Sequence, residues 1–297
     1  MVADTSVALQ PGPWEHRLVA ANGARFHVAQ VGNAGDPLVI LLHGFPCFWW
    51  EWRHVIPPLA EAGYRVVAMD LRGFGASDKA QRQISTPKFS YDVAGVISSL
   101  GYSRATVVGR GIGAHVAWAM PSYAPEVTAA IVAVGTPHPL ALRRTLLTSR
   151  INPYFQAGHL PAILERSLKS GEGVRHFLST WAHDEEAALA EADTYTAVLR
   201  LPFAARCAVD ALRWQTRSPF LSDTRVYLRK IDRPITVPAF GIRGAEDQMY
   251  SPRSWTVSAR WAPNLKQAII RDAGHFLPEE SPAALTEQLL GALAASR

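Results

Sequence analysis

Cysteine is scarce: among 297 residues only Cys47 and Cys207 occur. They are far apart and fit no metal-ligand spacing, so neither a disulfide framework nor a cysteine-held metal organises this chain. A disulfide between them is left open but not implied, and a reduced, cytoplasmic setting is the simpler expectation. Long apolar runs are also missing. No stretch approaches the roughly 18 residues of a membrane span. The opening MVADTSVALQPGPWEH lacks the basic start and apolar run of a secretory signal. Dense basic runs and nucleic-acid motifs are absent too, although the net charge is +5 and the pI is near 9.4. Scattered arginines of this kind give mild attraction to anionic surfaces, not a nucleic-acid interface.

What remains is an ordinary globular balance, 48% hydrophobic and 19% charged, able to bury a large core. Short β-rich runs alternate with helical patterns, which argues for a parallel sheet with crossover helices, an α/β fold. WEHRLVAANG and RFHVAQVG read as a hairpin turning at Asn22-Gly23. PLVILLHG, YRVVAMD, ATVVG and VTAAIVAVG read as buried strands. The stretch EWRHVIPPLAEAG reads as a helix, and so does SYDVAGVISSLG, with Ser90 as its N-cap. From about His138 to Arg233 strand signals fade and helical spacing takes over, in LPAILERSL, GVRHFLSTWA, EEAALAEADTYTAVLRL and AARCAVDALRW. The β rhythm returns with ITVPAFGIRG and LKQAIIRDAG, and SPAALTEQLLGALAA closes the chain as a helix. The expected organisation is therefore a core of residues 1–137 and 234–297 with an inserted helical cap, 138–233.

Ligands of an α/β sheet bind beyond the carboxyl ends of its strands, and four loops there carry chemical signatures. In HGFP, His43 to Pro46, a Gly-flanked turn can aim the Phe45 N–H at a developing oxyanion. VVGRGIGAHVAW has the small-x-x-x-small framing of a nucleophile elbow, with Gly109, Gly113 and Ala114 as the small residues. Its central position is Gly111, which has no side chain, and Ile112 supplies the second oxyanion N–H. GIRGAEDQ places Asp247, with Glu246 as the neighbouring candidate, where an acid would orient a histidine. DAGHFLPEE supplies that histidine, His275. Acid then histidine, in this order, fits the α/β-hydrolase triad. Each motif alone has a bland reading as a turn or a solvated loop residue; four in order at strand ends do not.

On these residues, together with HGFPCFWWEWRHVIPPLAEAGYRVVAMDLRGFGASDK, TPHP (Thr136 to Pro139) and LPFAARCAVDALRWQTRS, the chain resembles the epoxide hydrolases of the α/β-hydrolase superfamily, with haloalkane and fluoroacetate dehalogenases further off. The resemblance covers Gly12 to Leu293 and implies an α/β-hydrolase fold with a helical cap. It implies an Asp nucleophile at the elbow, where this chain has Gly111, preceded by His, where this chain has Arg110. It implies two cap tyrosines that hydrogen-bond the epoxide oxygen. One matches Tyr154; the other falls at Ala211 or Leu212. A glutamate common after HGFP is Cys47 here. Nucleophile and electrophile positions have changed together, while Asp247 and His275 persist. The reading is thus an epoxide-hydrolase-like protein in which ester-forming hydrolysis is lost or strongly reduced. Two alternatives accompany it: an active hydrolase using water activated by His275 and Asp247, and a ligand-binding regulatory pseudoenzyme. The expected pocket is apolar and takes a small molecule, with His43, Trp49, Arg110 and Leu212 near it and Phe45, Phe48, Trp50 and Trp118 around the mouth. Arg110 is expected to pair with an acid, Asp70 first. No metal or organic cofactor is implied, no nucleic acid or membrane span is expected, and a homodimer is left open.

Overall fold

The computed structural model describes residues 5–79, 84–145, 160–217 and 220–296. Eight strands form one sheet in the order β1-β2-β4-β3-β5-β6-β7-β8. They are β1 (Glu15–Ala21), β2 (Ala24–Val31), β3 (Leu38–Leu42), β4 (Arg65–Met69), β5 (Ala105–Arg110), β6 (Thr128–Val134), β7 (Ala239–Gly244) and β8 (Lys266–Ile270). The hairpin pair β1 and β2 is antiparallel, β2 runs antiparallel to β4, and every pairing from β4 to β8 is parallel. The central strands β3, β5 and β6 are almost wholly buried, as expected where helices cover both faces of a parallel sheet.

Flanking the sheet are α1 (Ile56–Glu61), α2 (Thr86–Ser99) and α3 (Ile112–Tyr123). The residues between β6 and β7 form α4 (Pro139–Thr145), α5 (Pro161–Ser170), α6 (Glu172–Trp181), α7 (Glu185–Leu189), α8 (Ala192–Leu199), α9 (Ala204–Gln215) and α10 (Ser222–Ile231). Then come α11 (Pro252–Ser258), α12 (Leu277–Glu280) and α13 (Pro282–Ala294).

Three sequence expectations are corrected. Helix α2 begins four residues before Ser90: Ser85 is the cap, its Oγ accepting the Lys88 N–H at 3.3 Å, with Pro87 in the first turn. Ser90 lies inside the helix and bonds back to the Thr86 carbonyl at 2.9 Å. The stretch from Glu51 to Gly63 is broken into a 3₁₀ turn at Trp49–Trp52 and the short α1, since Pro57 and Pro58 fit only a first helical turn. The long pattern from Glu185 is two helices, α7 and α8, and α10 carries no reading in the sequence because its exposed face is dominated by Arg and Asp.

Candidate active site

The site is assembled where β3, β5, β6, β7 and β8 end. At the end of β5 the chain reverses directly into α3, and the glycines there are steric requirements. A Cβ on Gly109 would lie 2.2 Å from the Gly113 carbonyl carbon, and one on Gly113 would lie 2.2 Å from the Leu42 carbonyl oxygen. The Gly113 N–H donates to the His43 carbonyl at 3.0 Å, tying the elbow to the β3 loop. Gly111 stands at the apex with φ 53° and ψ −117°, a strained conformation for any side-chain-bearing residue. Its Cβ position faces the loop after β3, 3.2 Å from Gly44 Cα and 3.6 Å from the Phe45 nitrogen. The residue at the apex of this turn is thus backbone alone.

His275 and Asp247 meet as their order in the chain implied. His275 Nδ1 lies 3.1 Å from Asp247 Oδ2, and both side chains are 2% exposed. The second oxygen, Oδ1, accepts the Met249 N–H at 2.8 Å. A carboxylate held at both oxygens puts the imidazole proton on Nδ1 and leaves Nε2 as the basic nitrogen. Of the two acids in GIRGAEDQ, Asp247 is the partner. The backbone N–H of His275 donates to the Trp181 carbonyl at 3.0 Å, so the histidine loop is fastened to the end of α6.

Arg110, the last residue of β5, lays its guanidinium against Gly44: a Cβ on Gly44 would come 2.7 Å from its central carbon. Arg110 is 1% exposed and pairs with Glu51, Nη2 to Oε2 at 2.6 Å and Nε to Oε2 at 2.9 Å. Glu51 Oε1 accepts the Gly44 N–H at 3.0 Å. The guanidinium also lies 5.0 Å over the Phe276 ring and 3.3 Å from Cys47 Sγ. One side chain thus joins the elbow, the loop after β3 and the histidine loop. Burial, the largest influence, lowers its pKa, but the Glu51 charge and hydrogen bond together with Cys47 and Tyr195 outweigh it, and the net shift is upward. The expected partner Asp70 is corrected to Glu51. Asp70 is already engaged, by His27 Nδ1 at 2.8 Å and by the N–H groups of Trp49 and Ala76, both at 2.9 Å. Burial raises its pKa, yet His27 and these donors bring it below the usual range.

Most of the residues expected near the pocket make definite contacts within the core and the loops. His43 Nε2 accepts the Leu71 N–H and Nδ1 meets the Gly44 carbonyl, both at 3.1 Å, so its polar atoms brace two loops. Burial lowers its pKa. Trp49 sends its indole N–H to the Ala8 carbonyl at 2.8 Å and packs edge-on to Trp14, away from the elbow. Trp118 bonds the Thr136 carbonyl at 3.0 Å inside the core. Leu212 and Ala211 are buried in α9. Cys47 is buried, and burial followed by the Glu51 charge pushes its thiol well up, the opposite of what an attacking thiolate needs. Tyr154 lies outside the described residues. Phe45 meets Phe177 of α6 edge-on at 5.3 Å, and Phe177 meets Phe276 at 5.7 Å, so aromatic rings connect the insertion to the site loops.

Sequence reasoning missed four contributors. Glu51 was hidden in an apparently helical stretch. Tyr250, whose ring is 5.8 Å from that of His275, has its phenol pushed up by burial and then by Asp247. Glu280 accepts the backbone N–H groups of Gly274 at 2.9 Å, Phe276 at 2.7 Å, His183 at 2.7 Å and Asp184 at 3.0 Å. Glu279 pairs with Arg53 at 2.7 Å and accepts the Tyr195 hydroxyl. The EE of DAGHFLPEE was the one available signal for the last two. Among the described residues no group of three or more His, Cys, Asp or Glu is placed to hold a metal ion.

A mostly parallel sheet, a glycine-framed elbow after a central strand and a His–Asp pair on two later strand ends define an α/β hydrolase. The family profile described as the alpha/beta hydrolase fold matches residues 37–282, and the chain belongs to that family, within its epoxide-hydrolase-like members. The chain is 31% identical over 287 residues to the AB hydrolase superfamily protein YfhM of Bacillus subtilis (strain 168), covering 92% of this chain and 96% of that one. It is 26% identical over 276 residues to epoxide hydrolase 4 of Mus musculus, covering 88% and 74%. The solved epoxide hydrolase from an endophytic Streptomyces superposes with a TM-score of 0.80 at 25% identity, covering 96% of each chain.

Proposed function

We propose that this chain is an epoxide-hydrolase-like protein that has given up the ester-forming route and retains a site for an apolar small molecule beneath its helical insertion. The observation that carries the reading is Gly111 at the apex of an otherwise complete elbow. Losing a covalent nucleophile costs on the order of 10⁴–10⁶-fold in turnover, and oxyanion donors and binding leave only a residue of acceleration. The division into a core of 1–137 and 234–297 and a cap of 138–233 belongs to the same proposal. So do the oxyanion roles of Phe45 and Ile112 and the electrophilic role of Tyr154.

A second reading is favoured by the preserved His275–Asp247 pair, at 3.1 Å. Here His275 Nε2 takes a proton from water, the water oxygen bonds to an epoxide carbon, and that carbon's bond to the ring oxygen breaks. The ring oxygen then takes a proton, and a diol leaves with no ester on the protein.

Turnover of a panel of aryl and alkyl epoxides by the native chain and by Gly111→Asp tests the two together. Arg110 stays in place, because Glu51 needs it. Turnover only in Gly111→Asp supports the first reading. Turnover by the native chain that His275→Ala abolishes supports the second and overturns the first.

A further inference from the structure

A groove remote from the His275–Asp247 pair opens where α4 packs on α11. It has a volume of about 430 Å³ and is lined by Arg144, Thr145, Arg253, Thr256, Val257 and Arg260. Arg253, Thr256 with Val257, and Arg260 recur at i, i+3/i+4 and i+7, so they share one face of α11 and the turn that continues it. The floor is fixed. Thr145 Oγ1 bonds Ser254 Oγ at 2.7 Å, the His138 N–H donates to Ser258 Oγ at 3.0 Å, and the His138 ring stacks on Trp261 at 4.8 Å. Trp261 also orders the cations, with the Arg144 guanidinium 4.8 Å and the Arg260 guanidinium 5.7 Å from its ring.

The cations of this groove have no counter-charge. Among the described residues, Arg144, Arg253 and Arg260 form no ion pair, as is true of other arginines such as Arg17, Arg104 and Arg271, but here three of them line one groove. The sequence accounts for it: there is no Asp or Glu from 127 to 164 or from 248 to 271, and the fold brings these two acid-free stretches together. Asp232 reaches Trp261 but spends its Oδ1 on the indole N–H at 2.6 Å and does not line the groove. Burial holds the His138 imidazole at about 3, so it adds no charge at neutral pH.

We propose that this groove binds a phosphate group carried on a larger molecule. Three guanidinium groups line the groove, the donor type that pairs with phosphate oxygens, and the Thr256 hydroxyl adds a neutral donor. The groove exceeds a free phosphate in volume, and Val257 offers an apolar contact for the carrier. The absence of carboxylates argues against a cation site.

The test is isothermal titration of the whole chain with inorganic phosphate at constant ionic strength, against chloride, for the native chain and Arg253→Ser/Arg260→Ser. Both arginines are exposed, so the variant folds, and an unchanged melting temperature without phosphate checks this. Saturable phosphate binding that weakens at least tenfold in the variant is the expected result. Glycerol 3-phosphate and phosphatidic acid vesicles in phosphatidylcholine then separate the sources. Tighter binding of the former assigns a soluble phosphate ester, and retention on the latter assigns a lipid headgroup. No saturable phosphate binding by the native chain, or equal binding by the variant, overturns the proposal.

Discussion

Arg110 and Gly111 are neighbours with opposite fates, one buried in a network of charge and the other reduced to backbone. The Arg110–Glu51 pair is fully buried, and removing one partner of such a pair leaves the other charge unpaired in a low-dielectric interior. Arg110→Ala is therefore expected to lower stability by about 3–5 kcal/mol, read from urea unfolding midpoints. Arg110→Met/Glu51→Leu should recover most of that loss; a double variant as unstable as the single one would show that the pair is not what holds the loops. Gly111 shows the limit of reading residues alone. Its missing side chain was plain in the sequence, because the framing glycines identify the position. The partner of Arg110 was not plain: Asp70 was the expected acid, and only the path of the Trp49–Trp52 turn brings Glu51 under the guanidinium.

Among the elements, the α6 end and the histidine loop are tied by the His275 N–H bond to the Trp181 carbonyl and by one carboxylate, Glu280. Glu280 takes four backbone N–H groups, two from Gly274 and Phe276 and two from His183 and Asp184. Glu280→Ala leaves those donors without a partner, at about 1–3 kcal/mol for each group that water cannot reach. Amide hydrogen exchange at Gly274, Phe276, His183 and Asp184 should accelerate together, ahead of the β5 and β6 amides. Acceleration on one side only would mean the loop and the insertion move independently. The strands and most helices were legible because periodicity and turn residues are local signals. The contacts between insertion and core were not, since Glu279, Tyr195 and Arg53 are far apart in sequence and carry no shared pattern.

At the scale of the whole molecule, histidines buried neutral contribute to acid sensitivity, alongside carboxylates such as Asp70 whose pKa is lowered in the fold. His115 and His138 are both held at about 3 by burial, against an ordinary 6.5. The folded chain refuses protons that the unfolded chain accepts, so this contribution is complete above pH 6.5 and is lost as pH falls from 6.5 toward 3. Each such histidine removes about 1.4 kcal/mol per pH unit over that window. Urea unfolding between pH 7 and pH 4 should show this slope, and His138→Phe should flatten it; an unchanged slope would place the acid sensitivity elsewhere. The α/β-hydrolase architecture itself was legible from the order of four strand-end motifs, since that order is a property of the entire chain.

The central claim is that this chain forms no ester with an epoxide, and the most direct measurement is intact protein mass after rapid quenching with an aryl epoxide. The native chain is expected to show no adduct, while Gly111→Asp gains the mass of one substrate at position 111. An adduct of substrate mass on the native chain that accumulates in His275→Ala, where no base is left to hydrolyse it, would contradict the account and reveal a nucleophile other than the elbow residue.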